Sequence, residues 1–241
     1  MTNSRGFTLI EMAIVLVIIT ILIGGLAMPL SAQIQARRIA ETQATLQEAR
    51  QALIGYAMTH NATNTPTHHY LPCPDTDVPP EGRENRTSDT TCAASQGVLP
   101  WADLGTAPQD AWGNRLRYAV VGQFIDKYNG FSATTPASPP LGFTPIQICS
   151  THTCPSPDVA DNVVFVLVSH GPNGWGAKNI NGNTLADPTG PDEKQNLKAS
   201  LIYVSRSPTK ADAASGEFDD LVVWVSQSAL IASVCPTGCP P

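Results

Sequence analysis

The chain has 241 residues, and only 14% of them are Asp, Glu, Lys or Arg, whereas soluble domains usually contain about 25%. Twenty acidic residues outnumber 14 basic ones, so the formal net charge is −6. Because so few dispersed cations cannot form the basic stripe that binds a phosphate backbone, the charge argues against nucleic acid as a partner.

The first predicted element is a long apolar helix. Residues 12–30 form a run of 19 residues without a charged side chain. As an α-helix this run would extend about 28 Å, which is close to the thickness of the hydrocarbon layer of a bilayer. An ordinary secretory leader has a shorter apolar region that ends at a small-residue cleavage site. The pattern therefore predicts one membrane span at residues 12–30.

A short polar leader precedes the apolar run and ends in Gly6, after which the chain reads Phe-Thr-Leu-Ile-Glu at residues 7–11. This arrangement resembles the N-terminus of the type IV pilin and type II secretion pseudopilin superfamily. The resemblance implies that a prepilin peptidase cuts between Gly6 and Phe7 and that the new amino group of Phe7 is methylated. We therefore interpret residues 1–6 as a prepilin leader.

Glu11 is the acidic residue at the edge of the apolar run. A carboxylate that enters lipid is costly and usually marks a functional position. The resemblance implies that Glu11 pairs with the N-terminal ammonium of a neighbouring subunit during filament assembly. The alternative interpretation is a plain membrane anchor with an interfacial Glu.

After the apolar run the helix is predicted to become amphipathic and to continue to Met58. Apolar residues recur at near-helical spacing through residues 34–57, and charged residues occupy the other faces. A coiled coil over residues 33–57 is the alternative. The predicted organisation is a leader at 1–6, a helix at 7–58 and a head at 59–241.

The head is predicted to contain strands after a long loop at residues 60–100. Runs rich in β-branched and aromatic residues, bounded by turn residues, predict the strands. These runs lie at residues 116–121, 145–149, 163–169, 200–205 and 221–226. Because the helix comes first and the strands follow, the predicted fold is α+β, with an antiparallel sheet packed on the C-terminal half of the helix.

Two turns of the head also resemble pseudopilin segments. Residues 168–174 resemble the turn that ends a pseudopilin strand, and residues 218–221 resemble the acidic start of the last strand. In pseudopilins these turns lie together and can bind calcium, so the resemblance implies Asp219 and Asp220 as calcium ligands. Asn173 stands where the family commonly has Asp, which removes one negative charge. No cofactor is otherwise required.

A second group of acidic residues lies in the loop at residues 60–100 and could bind calcium through hard oxygen ligands. Its members are Asp75, Asp77, Glu81 and Glu84. Neither this group nor the residues near Asp219 follow the spacing of an EF-hand. Solvated loop carboxylates are the alternative for both groups.

The six cysteines are close together in sequence as three pairs, and an exported location favours disulfide bonds. The proposed pairs are Cys73 with Cys92, Cys149 with Cys154, and Cys235 with Cys239. These bonds would brace the long loops of the head. Six cysteines permit fifteen pairings, so only sequence proximity favours these three. A zinc site built from His68, His69 and Cys73 is the alternative.

No catalytic motif is recognisable in the chain, and the protein is predicted not to be an enzyme. Ser169 and His170 are adjacent in a predicted strand, and adjacent strand residues point to opposite faces, which is the wrong geometry for a nucleophile and its base. The predicted function is a structural subunit of a type IV pilus-like filament, most similar to a minor or atypical pseudopilin. The alternatives are a minor pilin for adhesion or DNA uptake, and a membrane-tethered periplasmic binding domain.

The family resemblance also implies partners and location. The partners would be other pilin or pseudopilin subunits, the prepilin peptidase, an inner-membrane assembly platform and, before assembly, the lipid bilayer. The location would be the bacterial inner membrane, with a single pass and a periplasmic head. A periplasmic or cell-surface filament would follow.

Overall fold

The computed structural model describes residues 8–133, 135 and 144–235, and the side chains of residues 23–29 lie outside that set. The chain divides into two compact units, residues 1–40 and residues 41–241. The helices are α1 Leu9–Thr59, α2 Trp101–Leu104, α3 Pro191–Leu197 and α4 Gln227–Val234. The strands are β1 Arg86–Ser88, β2 Thr91–Cys92, β3 Gln96–Val98, β4 Arg117–Val120, β5 Ile146–Cys149, β6 Ala160–Ser169, β7 Ile202–Val204 and β8 Leu221–Ser226.

The first unit contains the N-terminal part of α1. Over the residues that the structure describes, no helix is long and apolar enough to cross a membrane. The predicted span at residues 12–30 is therefore not confirmed, and seven of its residues, 23–29, have side chains outside the described set. The predicted cleavage site at Gly6 and Phe7 also lies outside the described residues.

In the second unit, the last turns of α1 form one side of the core. The buried positions of this segment are Thr42, Leu46, Ala49, Leu53, Ile54 and Ala57. Most of them are three or four residues apart, which places them on one face of a helix. The five apolar members belong to the same core as the sheet residues, so the prediction of an α+β fold with a long N-terminal helix is confirmed.

The sheet of the head has six strands, in the order β3-β4-β6-β5-β7, with β8 paired to β6. Four of its five strand pairs are antiparallel, but β5 and β7 run parallel. The prediction of a purely antiparallel sheet is therefore wrong. β4 and β5 pair with successive stretches of one edge of β6, and β8 pairs with the other edge. β7 pairs with the outer edge of β5, and the connection from β6 to β7 contains α3.

β6 is the central strand, and its residues 163–169 are all buried. The run is apolar at consecutive positions up to Val168, which is typical of a strand covered on both faces. The five predicted strand regions each contain a strand, and β8 has the predicted limits. The three short strands within residues 60–100 and the helices α3 and α4 were not predicted, because they lack a long periodic pattern.

Two of the predicted disulfide bonds are present in the structure. Cys73 is bonded to Cys92 across a Cα–Cα distance of 5.4 Å, and Cys149 is bonded to Cys154 across 5.7 Å. Cys235 is also disulfide-bonded. Its predicted partner, Cys239, lies outside the described residues.

Candidate functional site

Three carboxylates converge in the head at the predicted calcium position. Asp219 and Asp220 immediately precede β8, and Glu193 lies in the first turn of α3. One oxygen from each residue lies within 4.8 Å of an oxygen of the others. The structure thus brings the two predicted ligands together and adds a third residue that sequence reasoning missed.

The side chain of Asp219 is held by one backbone amide of the turn that follows β6. Its Oδ2 accepts a hydrogen bond from the amide of Asn173 at 3.2 Å, whereas its Oδ1 is buried and has no hydrogen-bond partner. Burial, reinforced by the nearby charge of Glu193, raises the pKa of Asp219 to about 7. The site therefore contains a buried carboxylate oxygen, Asp219 Oδ1, to which no hydrogen-bond donor is directed.

Glu193 is 2% exposed, and like Asp219 it has one oxygen that accepts hydrogen bonds and one that does not. Its Oε1 accepts hydrogen bonds from the amide of Asp219 at 2.9 Å and from Asn173 Nδ2 at 3.3 Å. Its Oε2 is buried and has no partner. Burial, together with the charge of Asp220, raises the pKa of Glu193 above its ordinary value.

Asp220 differs from the other two carboxylates because both of its oxygens are engaged. Its Oδ1 lies 3.1 Å from His170 Nδ1, and its Oδ2 accepts a hydrogen bond from Asn196 Nδ2 at 2.7 Å. Asn196 also bonds both backbone groups of Val204 in β7. Asp220 thus ties α3 and the turn after β6 to the start of β8, and it is the least available of the three as a ligand.

The donor set fits a hard divalent cation. Calcium prefers carboxylate and carbonyl oxygens, and a buried oxygen without a donor is costly unless something compensates it. Glu193 Oε2 and Asp219 Oδ1 are two such oxygens. Glu193 supplies the negative charge that the Asn at position 173 lacks, so these two residues and Asp220 would hold the ion.

Glu193 carried one local signal that could have identified its helix. Gly190 precedes α3, and Pro191 stands at its first position. Pro at the first position, followed by acidic residues in the first turn, is a helix-start pattern. Nothing in the sequence, however, indicates that this helix packs beside Asp219, about 26 residues further along the chain.

The second predicted acidic group does not form a cation site in the described part of the chain. Asp75 uses its Oδ1 to accept from the amide of Asp77 at 2.9 Å and its Oδ2 to accept from the amide of Gly82. Glu84 accepts from the amide of Cys73 and from Arg86, both at 2.9 Å. These carboxylates stabilise loop backbone and pair with an arginine.

The zinc alternative is wrong, because Cys73 is bonded to Cys92 and provides no thiolate. His68 Nδ1 is hydrogen-bonded to the carbonyl of Asn129 at 2.8 Å.

The adjacent residues Ser169 and His170 form hydrogen bonds with different partners. Ser169 donates to Asp110 Oδ2 at 2.7 Å, whereas His170 bonds Asp220.

Glu11 forms a reciprocal contact with Thr8 at the beginning of α1. Glu11 Oε2 accepts hydrogen bonds from the amide and from Oγ1 of Thr8, both at 2.8 Å. The Glu11 amide in turn donates to Thr8 Oγ1 at 3.3 Å. This arrangement is a capping box, which satisfies backbone donors that the first turn of a helix leaves free.

Comparison with known proteins identifies the N-terminal segment. Residues 1–27 match the family model of the prokaryotic N-terminal methylation motif. No curated protein matches the chain, and no solved structure matches it. The matched segment contains Gly6, Phe7 and Glu11, the three residues on which the resemblance depends. The chain therefore carries the prepilin-type N-terminal signal of the type IV pilin and pseudopilin family.

Proposed function

We propose that this protein is a structural subunit of a type IV pilus-like filament, of the type II secretion pseudopilin kind. The observation that carries the proposal is the methylation motif at residues 1–27. In this proposal the prepilin peptidase cuts between Gly6 and Phe7 and the amino group of Phe7 is methylated. The mature subunit then joins other subunits at an inner-membrane assembly platform.

The uncharged run at residues 12–30 would anchor the subunit in the inner membrane before assembly and would contact neighbouring subunits in the filament. Nineteen uncharged residues are enough for this purpose if they are helical throughout. The head, residues 59–241, would face the periplasm and then the surface of the filament.

Glu11 would act when a subunit enters the filament. Its Oε2 is occupied by two groups of Thr8, so in the free subunit the carboxylate supports the start of its own helix. A neighbouring N-terminal ammonium would compete for the same carboxylate, and a hydrogen bond between two opposite charges gains a Coulomb attraction that a neutral donor such as Thr8 does not provide. This exchange would make pairing with a neighbour favourable and would set the register between subunits.

The carboxylate cluster of the head supports the pseudopilin assignment over a minor pilin for adhesion or DNA uptake. Glu193, Asp219 and Asp220 lie where the resemblance implies a calcium site. When bound there, calcium would neutralise the buried oxygens of Glu193 and Asp219 and would join α3 to the segment before β8.

Processing provides the test of the proposed function. The chain would be expressed with an active prepilin peptidase and, as the control, with a catalytically inactive one. We expect the mature protein to begin at Phe7 and to carry one methyl group on its amine, by N-terminal sequencing and intact-mass measurement, only with the active peptidase. A chain that retains residues 1–6 with the active enzyme would contradict the assignment. A matched Ser4→Ala variant should be processed normally, whereas Gly6→Leu should not.

A further inference from the structure

A cavity of about 270 Å³ lies in the head beside the start of β4 and the segment at residues 176–187. Its lining combines three cations, Arg115, Arg117 and Lys178, with the apolar side chains of Val98 and Leu197. This convergence is unusual in an acidic protein, because it uses three of only 14 basic residues in the chain. The sequence alone did not indicate it.

Arg115 is held in place by neutral groups. Its guanidinium lies over the ring of Trp101, with the carbon 4.1 Å from the ring centroid. Its two terminal nitrogens donate to the carbonyls of Pro108 at 2.9 Å and Ile180 at 3.2 Å. Its Nε is buried and has no hydrogen-bond partner. These contacts orient the side chain and leave its charge uncompensated.

Burial lowers the pKa of Arg115 below its ordinary value, and the negative charge of Asp75 partly offsets that effect. The oxygens of Asp75 are already taken up by the amides of Asp77 and Gly82. Asp75 therefore reduces the positive electrostatic potential at the cavity without forming an ion pair with Arg115.

Arg117 has a similar environment. Its Nη2 donates to Gln96 Oε1 at 2.8 Å and to the carbonyl of Leu197 at 2.9 Å, and its Nε is buried without a partner. The buried Tyr203 hydroxyl, a neutral group, lies beside this guanidinium. Burial raises the pKa of Tyr203, and the charge of Arg117 partly offsets that rise. Arg117 thus also presents a cation with only neutral partners.

Other arginines of the head behave differently. Arg83, Arg86 and Arg206 each form an ion pair with a carboxylate, at N–O distances of 3.2, 2.9 and 2.7 Å. Within the part of the chain that the structure describes, the three cations of the cavity form no such pair. Asp187 also lines the cavity, but it is exposed, whereas Arg115, Arg117 and Lys178 are half-buried.

We propose that this cavity binds a small oxyanion of the carboxylate or phosphate type. Arg115 and Arg117 would form its floor, and Lys178 would add charge at its mouth. Guanidinium groups bind both kinds of oxyanion through paired hydrogen bonds, and an oxyanion would satisfy the two buried Nε–H groups, which are costly when left alone. Val98 and Leu197 would contact a short apolar carrier. The proposal is independent of the proposed filament role.

The size of the cavity limits the ligand. Pockets that enclose drug-sized ligands usually measure about 300–1,000 Å³, so 270 Å³ fits an inorganic anion or a short organic acid. Inorganic phosphate and succinate represent these two sources of the same chemistry. Saturable binding of phosphate alone would assign a phosphate ligand, and saturable binding of succinate would assign a carboxylate ligand.

The test is calorimetric titration of the full-length protein in detergent with each anion, at fixed ionic strength set with chloride. We expect saturable binding below about 10 mM. Lys178→Gln should weaken it about tenfold, because it removes one charge at the mouth. Lys210→Gln is the matched control, since Lys210 is an exposed lysine outside the cavity lining, and it should leave the dissociation constant unchanged.

Arg115→Lys is a second variant, because it keeps the charge but removes the fork of nitrogens. We expect it to weaken binding at least as much as Lys178→Gln, with a melting temperature close to that of the unmodified protein. No saturable binding of either anion to the unmodified protein would overturn the proposal. Equal weakening by Lys178→Gln and Lys210→Gln would also overturn it, because it would reveal only a general charge effect.

Discussion

At the scale of single residues, Asp219 and Glu193 are distinguished by their unsatisfied oxygens. Among the described residues, no other carboxylate has a buried oxygen without a hydrogen-bond partner. Buried polar groups in native proteins normally form hydrogen bonds. The two oxygens without a partner lie where two acidic side chains approach each other. Such a pair can be stabilised either by protonation or by a cation, so we expect its effect on stability to depend on both pH and calcium.

The pKa of Asp219, about 7 in the folded chain, predicts the pH dependence of stability without divalent cations. The ordinary pKa of an Asp is about 3.9, so the folded state holds this proton more tightly than the unfolded state. The stabilising contribution is therefore complete below about pH 4 and is lost as the pH rises through 7. In EDTA we expect the melting temperature to fall across this interval, by on the order of 5 °C.

Calcium should reverse that loss at pH 7, because a bound cation compensates the ionised carboxylates. Asp219→Asn should remove most of both the pH dependence and the calcium response. The matched control is Asp212→Asn, since Asp212 is exposed and lies outside the cluster. Thermal melting followed by circular dichroism measures both effects, and equal responses of the two variants would contradict the site.

Glu11 supports a second prediction at this scale. Glu11→Ala should reduce incorporation into the filament by at least about tenfold, because the lost charge-assisted bond is worth roughly 1.5–3 kcal/mol. Membrane association should be unaffected. Glu41→Ala removes an exposed Glu from the same helix and should assemble normally. Sheared-filament fractions and membrane fractions, quantified by immunoblot, provide the measurement, and normal incorporation of Glu11→Ala would refute the role.

At the scale of elements, the last turns of α1 are the part of the helix that stabilises the head. Leu53 is fully buried on the face that belongs to the core, whereas Gln47 is exposed. Leu53→Ala should lower the free energy of unfolding by about 2–5 kcal/mol, because it leaves a cavity. Gln47→Ala should change it by less than about 0.5 kcal/mol. Urea denaturation of full-length variants in detergent tests this contrast, and similar midpoints would contradict the assigned face.

The sheet shows what local patterns could and could not predict. β8 is found at its predicted limits because five consecutive apolar residues, 221–225, follow two Asp residues and are followed by Ser226. β1 and β2 are only three and two residues long, so a pattern of alternation could not emerge. The parallel pairing of β5 with β7 depends on which strand edge is free, and that is a property of the assembled sheet.

At the scale of the whole molecule, the N-terminal motif and the head carry different kinds of information. The motif at residues 1–27 is recognised from residues that are neighbours in the sequence, and it carries the prepilin-type signal. The head contains the carboxylate cluster and the cavity lined by three cations, and their residues are dispersed over more than a hundred positions of the chain. The two groups carry opposite charges, and His170 lines the cavity while bonding Asp220 of the cluster.

The sequence by itself determined the features that depend on neighbours along the chain. These are the prepilin-type signal, the limits of β8 and the pairs Cys73–Cys92 and Cys149–Cys154, which are only 19 and 5 residues apart. Only the tertiary structure decided that Glu193 joins Asp219, that β7 runs parallel to β5 and that three cations share one cavity. The physical reason is that propensity and periodicity act within a few turns or strands, whereas these contacts depend on how distant segments pack together.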